Sequence, residues 1–377
     1  MLQVLVDYGH SLTKVVFSVH GRIDYLFMQP ALTSPLMKEQ LQLLKLHNAN
    51  AEPEDAAWLE LENEIRAVGS AAENFGGDTG ADERKERRAA FKTLAVLGAI
   101  QERADLPQQF EAHIGLLLPM TEFVDALRVC QKIQDAAAQF SFRDRSLTLS
   151  IPLCKPYPEG FGLFLGRRSE LSLQNIAPDS RTFLILMLGH RNASILVFQN
   201  GQPQPGKSTS NGPGFREAIA SGASVQGILS RDYNKLLSAF VSQNPTVVLA
   251  GESQARDVSE ALRVGQATYW GQLESFLINH FVRHVDSTCE VVIGGGASQL
   301  IAPELLGFLK GLGISPSRLS FGEGIQRGIS ACSAVAPSAN RFGHNQFAVE
   351  EPLNLRLVDA FAAFQHLQRQ SLSAINS

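Results

Sequence analysis

The chain has 377 residues, of which 44% are hydrophobic and 19% are charged, and its formal net charge is −4. This length exceeds one ordinary domain and suits two, and the apolar content excludes an intrinsically disordered chain. No segment is strongly basic, which argues against direct binding to nucleic acid.

The first half of the chain predicts strands that alternate with helices. Residues 3–19 (QVLVDYGHSLTKVVFSV) predict two strands joined by a tight turn, and residues 20–32 predict a further turn and strand. Residues 58–76 predict a short extended segment and a glycine-bounded turn. Charges followed by an apolar stripe predict an amphipathic helix over residues 82–104, and residues 109–119 predict a buried strand.

The rest of the chain continues with helices and strands, and the strand–turn–strand pattern returns from residue 181. Residues 120–140 predict a helix with Thr121 as its N-cap, and residues 145–166 predict two strand-like runs, with the crossing between domains at residues 156–160. The other predicted elements are a strand–turn–strand segment at 181–206, helices at 214–243, 267–285, 322–336 and 354–372, a short strand at 246–252, and a strand, glycine turn and helix at 290–313. The repetition predicts a duplicated α/β architecture with a ligand between its halves.

One segment matches the Walker A pattern letter for letter, namely GQPQPGKS at residues 201–208. Pro203 and Pro205 each remove an amide donor that a phosphate would need, and the residues that follow favour a loop over a helix. The preceding Asn200-Gly201 pair is typical of a hairpin turn. We therefore predict a hairpin and an exposed loop here, without a phosphate site.

The sequence lacks the signals of membrane and secreted proteins. Its longest apolar run, at residues 183–188, is far shorter than the roughly 20 residues of a membrane helix. The N-terminus has no basic segment and enters a strand pattern at once, so we expect no signal peptide. The four cysteines form no C-x-x-C pair. We expect a cytoplasmic protein with reduced thiols that does not bind a membrane.

The first strand–turn–strand segment resembles the first phosphate-binding hairpin of the actin-like ATPases, in which D-x-G is followed by Lys. The resemblance implies a phosphate site made by Asp7, Gly9, His10, Ser11 and Lys14. Gly9 would let the backbone approach a phosphate, Asp7 would hold a hydrated Mg²⁺, and Lys14 would neutralise the phosphates. An ordinary surface hairpin is the alternative for these residues considered alone.

The segment VVIGGGASQLI resembles the adenosine motif of the same superfamily. Its glycines, Gly294, Gly295 and Gly296, would leave room for the adenine and ribose beside bare backbone. A glycine-rich turn between a strand and a helix also occurs in many other α/β folds.

Further segments resemble the plasmid-segregation actins of the ParM/StbA type. They are IRAVGSAA, IGLLLPMTEF, KPYPEGFG and GIQRGI, and they follow the order of that family from residue 4 to about residue 330. The resemblance makes Glu159 the catalytic residue that orients a water molecule, and it places Arg327 on a helix that closes over the base. A surface carboxylate at a strand end is the alternative for Glu159.

The second phosphate motif departs from the family. It usually reads D-x-G-G-x-T-T-D, whereas this chain has MLGHRNAS. Gly189 matches, but Met187 and Ser194 stand where the family has its two aspartates. Because a methionine offers Mg²⁺ neither charge nor a hard oxygen, we expect weaker metal binding.

Two interpretations of this departure remain open. Arg191 could compensate by pairing with a phosphate, which would make Gly189, His190, Arg191 and Asn192 part of the nucleotide site. The other interpretation is decay to a pseudo-ATPase, against which the retained Glu159 argues.

The resemblance implies an actin-like ATPase fold, an α/β fold with two RNase H-like domains flanking a nucleotide cleft. Domain I would comprise residues 1–157 and 330–377, and domain II residues 158–329. Asp7, Glu159, Gly189 and Gly294 would then surround one common void.

The implied function is that of a ParM-like protein for plasmid or DNA segregation, which forms filaments with ATP (or GTP) and Mg²⁺. It would self-associate and reach DNA through an adaptor protein. The alternative is a degenerate pseudo-ATPase that serves as a non-catalytic scaffold. A sugar kinase would need a catalytic aspartate that the sequence does not offer, and a chaperone would need a further peptide-binding domain.

Overall fold

Both strand–turn–strand segments of the sequence form antiparallel hairpins in the structure, a computed structural model that describes residues 1–9, 11–80, 86–333 and 353–375. The strands, in chain order, are β1 (Leu2–Tyr8), β2 (Thr13–Val19), β3 (Arg22–Met28), β4 (Trp58–Leu61), β5 (Glu64–Ala67), β6 (Gln109–Leu118), β7 (Phe140–Phe142), β8 (Arg145–Pro158), β9 (Thr182–Leu188), β10 (Asn192–Gln199), β11 (Gln202–Pro203), β12 (Thr209–Pro213), β13 (Thr246–Val247), β14 (Arg256–Asp257), β15 (Cys289–Gly294) and β16 (Leu319–Ser320).

Most strands are connected through α-helices, and several short 3₁₀ segments complete the connections. The α-helices are α1 (Lys38–His47), α2 (Ser70–Glu73), α3 (Glu86–Arg103), α4 (Ala126–Ala137), α5 (Phe161–Leu173), α6 (Arg216–Gln226), α7 (Tyr233–Ser242), α8 (Ser259–His280), α9 (Ala302–Gly311), α10 (Glu323–Ser333) and α11 (Leu353–Ile375). None of these described helices is long and apolar enough to cross a bilayer.

The chain divides into two units, each with its own core. Among the described residues, the first unit comprises 1–162, 329–333 and 359–375, and the second comprises 163–328 and 353–358. The sheet of the first unit has the strand order β3-β2-β1-β6-β8-β7-β4-β5, and the larger sheet of the second has the order β11-β10-β9-β15-β16, with β12 paired to β10.

The two sheets repeat one arrangement. In the first, β1 pairs antiparallel with β2 on one side and parallel with β6 on the other, and β6 pairs parallel with β8. In the second, β9 pairs antiparallel with β10 and parallel with β15, and β15 pairs parallel with β16. The central strands are almost entirely buried, as expected for strands covered on both faces.

Helices cover both faces of the first sheet. Residues of α3 and α4 share a buried core with β1, β6 and β8. On the opposite face, a Cβ atom added to Gly115 would lie 3.2 Å from Tyr157 and 3.3 Å from Leu367 of α11. The C-terminal helix therefore packs against the first unit, and its burial accounts for its apolar stripe.

In the second unit, α6 and α8 cross closely. A Cβ atom on Gly222 would lie 2.2 Å from the carbonyl oxygen of Ala261, and one on Gly265 would lie 2.4 Å from that of Ala218. Both glycines let the helix backbones approach. The ring of Phe215 packs edge-on against Tyr269, with 5.3 Å between centroids, and this contact helps anchor both helices against the sheet.

Some sequence predictions of individual elements were wrong. The run FGLFLG is the first part of α5 and not a strand, because a short apolar run does not distinguish a buried helix from a buried strand. Thr121 is not an N-cap: it lies inside a 3₁₀ segment, Met120–Asp125, and α4 begins only at Ala126. The strand predicted at 246–252 is reduced to β13. Helix α1 was not predicted, since its apolar stripe is weak.

The segment with the Walker A pattern forms a hairpin, as predicted. Gln199 pairs with Gln202 across a turn in which Asn200 and Gly201 both have positive φ. The lysine side chain, Lys207, donates a hydrogen bond of 2.6 Å to the side chain of Gln199. No α-helix opens after it, since β12 follows, so the geometry of a P-loop is absent from this described segment.

Candidate functional site

The first hairpin holds a carboxylate and an ammonium group opposite each other. Asp7 on β1 pairs in register with Lys14 on β2, and Lys14 Nζ donates to Asp7 Oδ2 over 2.5 Å. A Cβ atom on Gly9 would lie only 2.2 Å from the carbonyl oxygen of Leu12, so the turn itself requires this glycine. Ser11 is half-buried in the turn. His10 lies outside the described residues.

Glu159 follows the last residue of β8 and precedes α5. Its amide donates to the carbonyl oxygen of Leu118 at the end of β6, over 2.9 Å. The next residue, Gly160, has φ = +88°, a conformation that favours glycine. The backbone therefore turns sharply at Glu159, whose side chain is half-buried.

A residue that the sequence did not single out fixes this turn. Asp359 on α11 accepts hydrogen bonds from the amides of Gly160 (2.6 Å) and Gly162 (2.7 Å). The first amides of a helix lack partners within it, so a carboxylate at the start of α5 satisfies them. Asp359 thereby holds the backbone on the C-terminal side of Glu159.

Asp359 also completes a group of three carboxyl residues in the first unit. Burial is the largest cause that raises the pKa of Asp359, to about 7, and the negative charges of Asp7 and Glu159 raise it further. The hydrogen bonds from the two glycine amides oppose this rise. The Asp359 carboxyl therefore keeps its proton to a much higher pH than an exposed aspartate does.

The second hairpin has the same length and strand register as the first and different side chains. Met187 on β9 pairs in register with Ser194 on β10, and the amide of Gly189 donates to the carbonyl oxygen of Asn192 over 3.0 Å. Asn192 Nδ2 donates to the carbonyl oxygen of Ser210 over 2.7 Å, which ties the turn to β12. This hairpin carries no carboxylate from Met187 to Ser194.

Cationic residues gather around the second turn. The amide of Arg216, at the start of α6, donates to the carbonyl oxygen of His190 over 2.9 Å. A Cβ atom on Gly214 would lie 2.1 Å from the carbonyl oxygen of Arg191, so the loop before α6 lies directly against the turn. Burial, together with the positive charges of Arg216 and Arg356, lowers the pKa of His190 to about 4. His190 is therefore neutral at pH 7.

The three glycines after β15 serve different purposes. A Cβ atom on Gly294 would lie 2.4 Å from Leu163 Cδ1 and 3.0 Å from the sulfur of Met187, and one on Gly295, where φ is +89°, would lie 2.2 Å from the carbonyl oxygen of Leu188. Packing within the unit thus requires both. At Gly296 the nearest atom is Arg356 Nε, 4.0 Å away, so this glycine borders open space.

Each unit brings together part of the predicted site. The first contains Asp7, Lys14 and Glu159, and the second joins the turn from Gly189 to Asn192 with the glycine triplet through the pairing of Met187 with Gly294. Arg327 lies exposed on α10. Within the described ranges, no cluster of three or more His, Cys, Asp or Glu side chains is arranged to hold a metal ion.

No protein-family model matches the chain, and no curated protein matches its sequence. Solved structures do. The archaeal actin homologue Ta0583 in complex with ADP is 14% identical with a TM-score of 0.64, and the match covers 98% of this chain and 100% of that one. This chain has the actin-like fold.

Two further solved structures agree with the actin-like fold. A ParM from a 15-stranded Clostridium botulinum filament is 15% identical, with a TM-score of 0.60, and the match covers 84% of this chain and 93% of that one. The actin-like protein Alp7A is 12% identical, with a TM-score of 0.62, and the coverage is 100% and 99%. The fold predicted from the sequence is confirmed.

Proposed function

We propose that this chain is a ParM-like, nucleotide-dependent protein that assembles into filaments for plasmid or DNA segregation. The main support is the Asp7–Lys14 hairpin beside the Glu159 turn, in a fold that the chain shares with a ParM filament and with an actin homologue bound to ADP. The two units would be domains I and II, with the predicted borders at residues 157/158 and 329/330, and ATP or GTP would be the bound nucleotide.

Different residues would bind the nucleotide and orient the attacking water. Lys14 would neutralise the phosphates as a point charge, and Glu159 would orient a water molecule for in-line attack on the γ-phosphate. Gly296 would leave room for the nucleoside, and Arg327 would close over the base. The protein would act in the cytoplasm, associate with itself, and reach DNA through an adaptor protein, without binding DNA or a membrane directly.

The residues present fit a magnesium ion poorly. Asp7 is already engaged by Lys14, and the corresponding position of the second hairpin carries Met187. Bound Mg²⁺ would supply charge neutralisation of the phosphates. Asp7, acting through water, is the one ligand that we propose for it.

Light scattering by the full chain after addition of ATP tests the proposal. We expect a signal that grows and then decays as nucleotide is hydrolysed. Glu159→Gln should give a signal that grows and persists, because the water is no longer oriented, while Glu60→Gln, an exposed residue of the same unit, should behave as the wild type. A flat trace at high protein concentration would contradict filament formation.

A non-catalytic scaffold with the same fold is the second candidate function, and Met187 favours it. Phosphate release measured on Met187→Asp separates the two. A large gain in rate over the wild type would support a scaffold that has lost its turnover. An unchanged rate, on a wild type that already hydrolyses ATP, would contradict that interpretation.

A further inference from the structure

We propose that Cys130 and Cys154 are a site of reversible oxidation, at which hydrogen peroxide converts the two free thiols into a disulfide within the chain. Cys130 lies on α4 and Cys154 on β8, and both belong to the first unit. Both are free thiols in the structure. The inference does not rest on the proposed function, since it involves neither a nucleotide nor a filament.

The packing of α4 against β8 brings the two cysteines together. Gln134, one turn beyond Cys130 on the helix, donates through Nε2 to the carbonyl oxygen of Ile151 over 2.8 Å. Ile151 lies three residues before Cys154 on the strand, so this bond holds the helix beside the strand close to both thiols. Cys130 belongs to the core of the first unit, and Cys154 packs against the same core.

A hydrogen bond joins the two thiols. The Cys154 thiol donates to the sulfur of Cys130, and this bond is the largest cause that lowers the pKa of Cys130 and raises the pKa of Cys154. Burial opposes the change at Cys130, whereas the positive charge of Lys155 supports it. Sulfurs that share a hydrogen bond need only a small movement of their side chains to reach the ~2.0 Å of an S–S bond.

The two thiols differ in reactivity and in access. A thiolate and not a thiol attacks peroxide, so the lowered pKa makes Cys130 the nucleophile of the pair. Cys130 is only 4% exposed, whereas Cys154 is half-buried and connects the pair to solvent. Hydrogen peroxide is small enough to enter beside such a side chain, and a protein oxidant is not.

The reaction balances with one molecule of peroxide. The Cys130 thiolate attacks one peroxide oxygen, the O–O bond breaks, and Cys130 becomes a sulfenic acid as hydroxide leaves. The Cys154 sulfur then attacks the sulfenic sulfur, the S–O bond breaks, and the leaving hydroxyl takes the thiol proton as water. The sulfurs lose two electrons and the peroxide gains them. Small-molecule thiols reverse the reaction by exchange, so the disulfide is transient in a reducing compartment.

Cys289 provides an internal contrast. It is buried on β15 of the second unit, and Arg318 Nη1 donates to its sulfur over 3.8 Å. Burial is the largest cause that raises the pKa of Cys289, and the positive charge of Arg318 opposes this rise. A buried thiol with a raised pKa reacts slowly with peroxide, so Cys289 should stay reduced while Cys130 is oxidised.

Mass spectrometry of the full chain tests the inference. After brief treatment with dilute hydrogen peroxide, the protein is unfolded in the presence of an alkylating agent. We expect a loss of two hydrogen atoms and alkylation of only two of the four cysteines. Digestion without reductant should give one linked pair of peptides, which joins Cys130 to Cys154, and dithiothreitol should restore both thiols.

Substitutions identify the thiols that react. Cys130→Ala and Cys154→Ala should each abolish the loss of two hydrogen atoms, and Cys154→Ser serves as a further variant at the half-buried position. Cys289→Ala is the matched control and should form the disulfide as the wild type does. Oxidised wild type should unfold at a temperature roughly 5 °C higher than reduced wild type, because the bond closes a loop in the unfolded chain. Peroxide should not raise the unfolding temperature of Cys154→Ala.

Three results would overturn the inference. The first is four alkylated cysteines after peroxide treatment of protein that circular dichroism shows to be folded. The second is sulfinic or sulfonic acid at Cys130 or Cys154 without a bond between them. The third is a disulfide that joins two chains or other cysteines, because such a bond does not use the contact between α4 and β8.

Discussion

The two hairpins share a length and a strand register and differ in their side chains. DYGHSLTK at Asp7–Lys14 and MLGHRNAS at Met187–Ser194 have the same length and the same Gly-His pair, and in each the first and last residues face each other across the strands. The first has an aspartate–lysine pair at these ends, whereas the second has neither charge. Strand register is fixed by burial and by the turn, so it tolerates the exchange of the side chains at these paired positions.

The parallel neighbours of the hairpins differ as well. Asp7 pairs with Leu117, after which the chain continues with Leu118 and Pro119, whereas Met187 pairs with Gly294, followed by two further glycines. The first unit surrounds its hairpin with the carboxyl groups of Glu159 and Asp359, and the second surrounds its own with arginines. The duplicated frame thus holds an acidic half and a basic half.

The largest expected effect tests the packing of the glycine triplet. Gly295→Ala should destabilise the protein by roughly 4 kcal/mol, because its methyl group would meet the backbone of Leu188 at a positive φ. Urea denaturation measures the change. Gly296→Ala is the matched control and should cost about 1 kcal/mol or less, since open space surrounds it. Equal costs would contradict the division of roles within the triplet.

The carboxyl groups of the first unit should make the stability of the protein depend on pH. The pKa of Asp359 is raised in the folded state, so its contribution to stability is present below its unfolded pKa and is lost as pH rises toward about 7. Relative to Asp359→Asn, the wild type should lose roughly 3 kcal/mol between pH 4 and pH 7. Denaturation at several pH values measures this, with exposed Asp179→Asn as control. If the difference in unfolding free energy between wild type and Asp359→Asn did not change with pH, the raised pKa of Asp359 would be contradicted.

Removing one partner of the first hairpin's ion pair should cost less. Lys14→Met leaves Asp7 without its cation beside two other carboxyl groups, and we expect a loss of roughly 2 kcal/mol. In the second hairpin, Ser194→Ala should cost about 0.5 kcal/mol or less, because it removes only a 3.3 Å contact with Asn192. A double-mutant cycle with Asp7→Asn would isolate the pair, and a coupling near zero would contradict it.

The smallest expected difference lies between the two turn glycines. A methyl group on Gly9 would lie 2.2 Å from the carbonyl oxygen of Leu12, whereas one on Gly189 would lie 3.0 Å from that of Asn192. Gly9→Ala should therefore exceed Gly189→Ala in destabilisation by about 1 kcal/mol. Thermal unfolding of both variants measures the difference. The reverse order would contradict the closer approach of the backbone at Gly9.

The sequence predicted most where local patterns carry the information. Alternating apolar residues around Gly9 and Gly189 predicted both hairpins, and comparison with a motif identified Met187 as a departure. The role of Asp359 was not predicted, because it depends on two amides far away in the chain and leaves no local sequence pattern. Of the residues near the second turn, the sequence identified His190 and Arg191, because both lie inside the motif. It did not identify Arg216 and Arg356, which come close to His190 only in the folded chain.

The bond between Asp359 and Gly160 also has a consequence for synthesis on the ribosome. The amide of Gly160, in the turn that bears Glu159, has its acceptor 199 positions later in the chain. A nascent chain that has emerged only as far as its second sheet cannot complete this turn. The backbone around Glu159 would then acquire its folded conformation only after α11 leaves the exit tunnel.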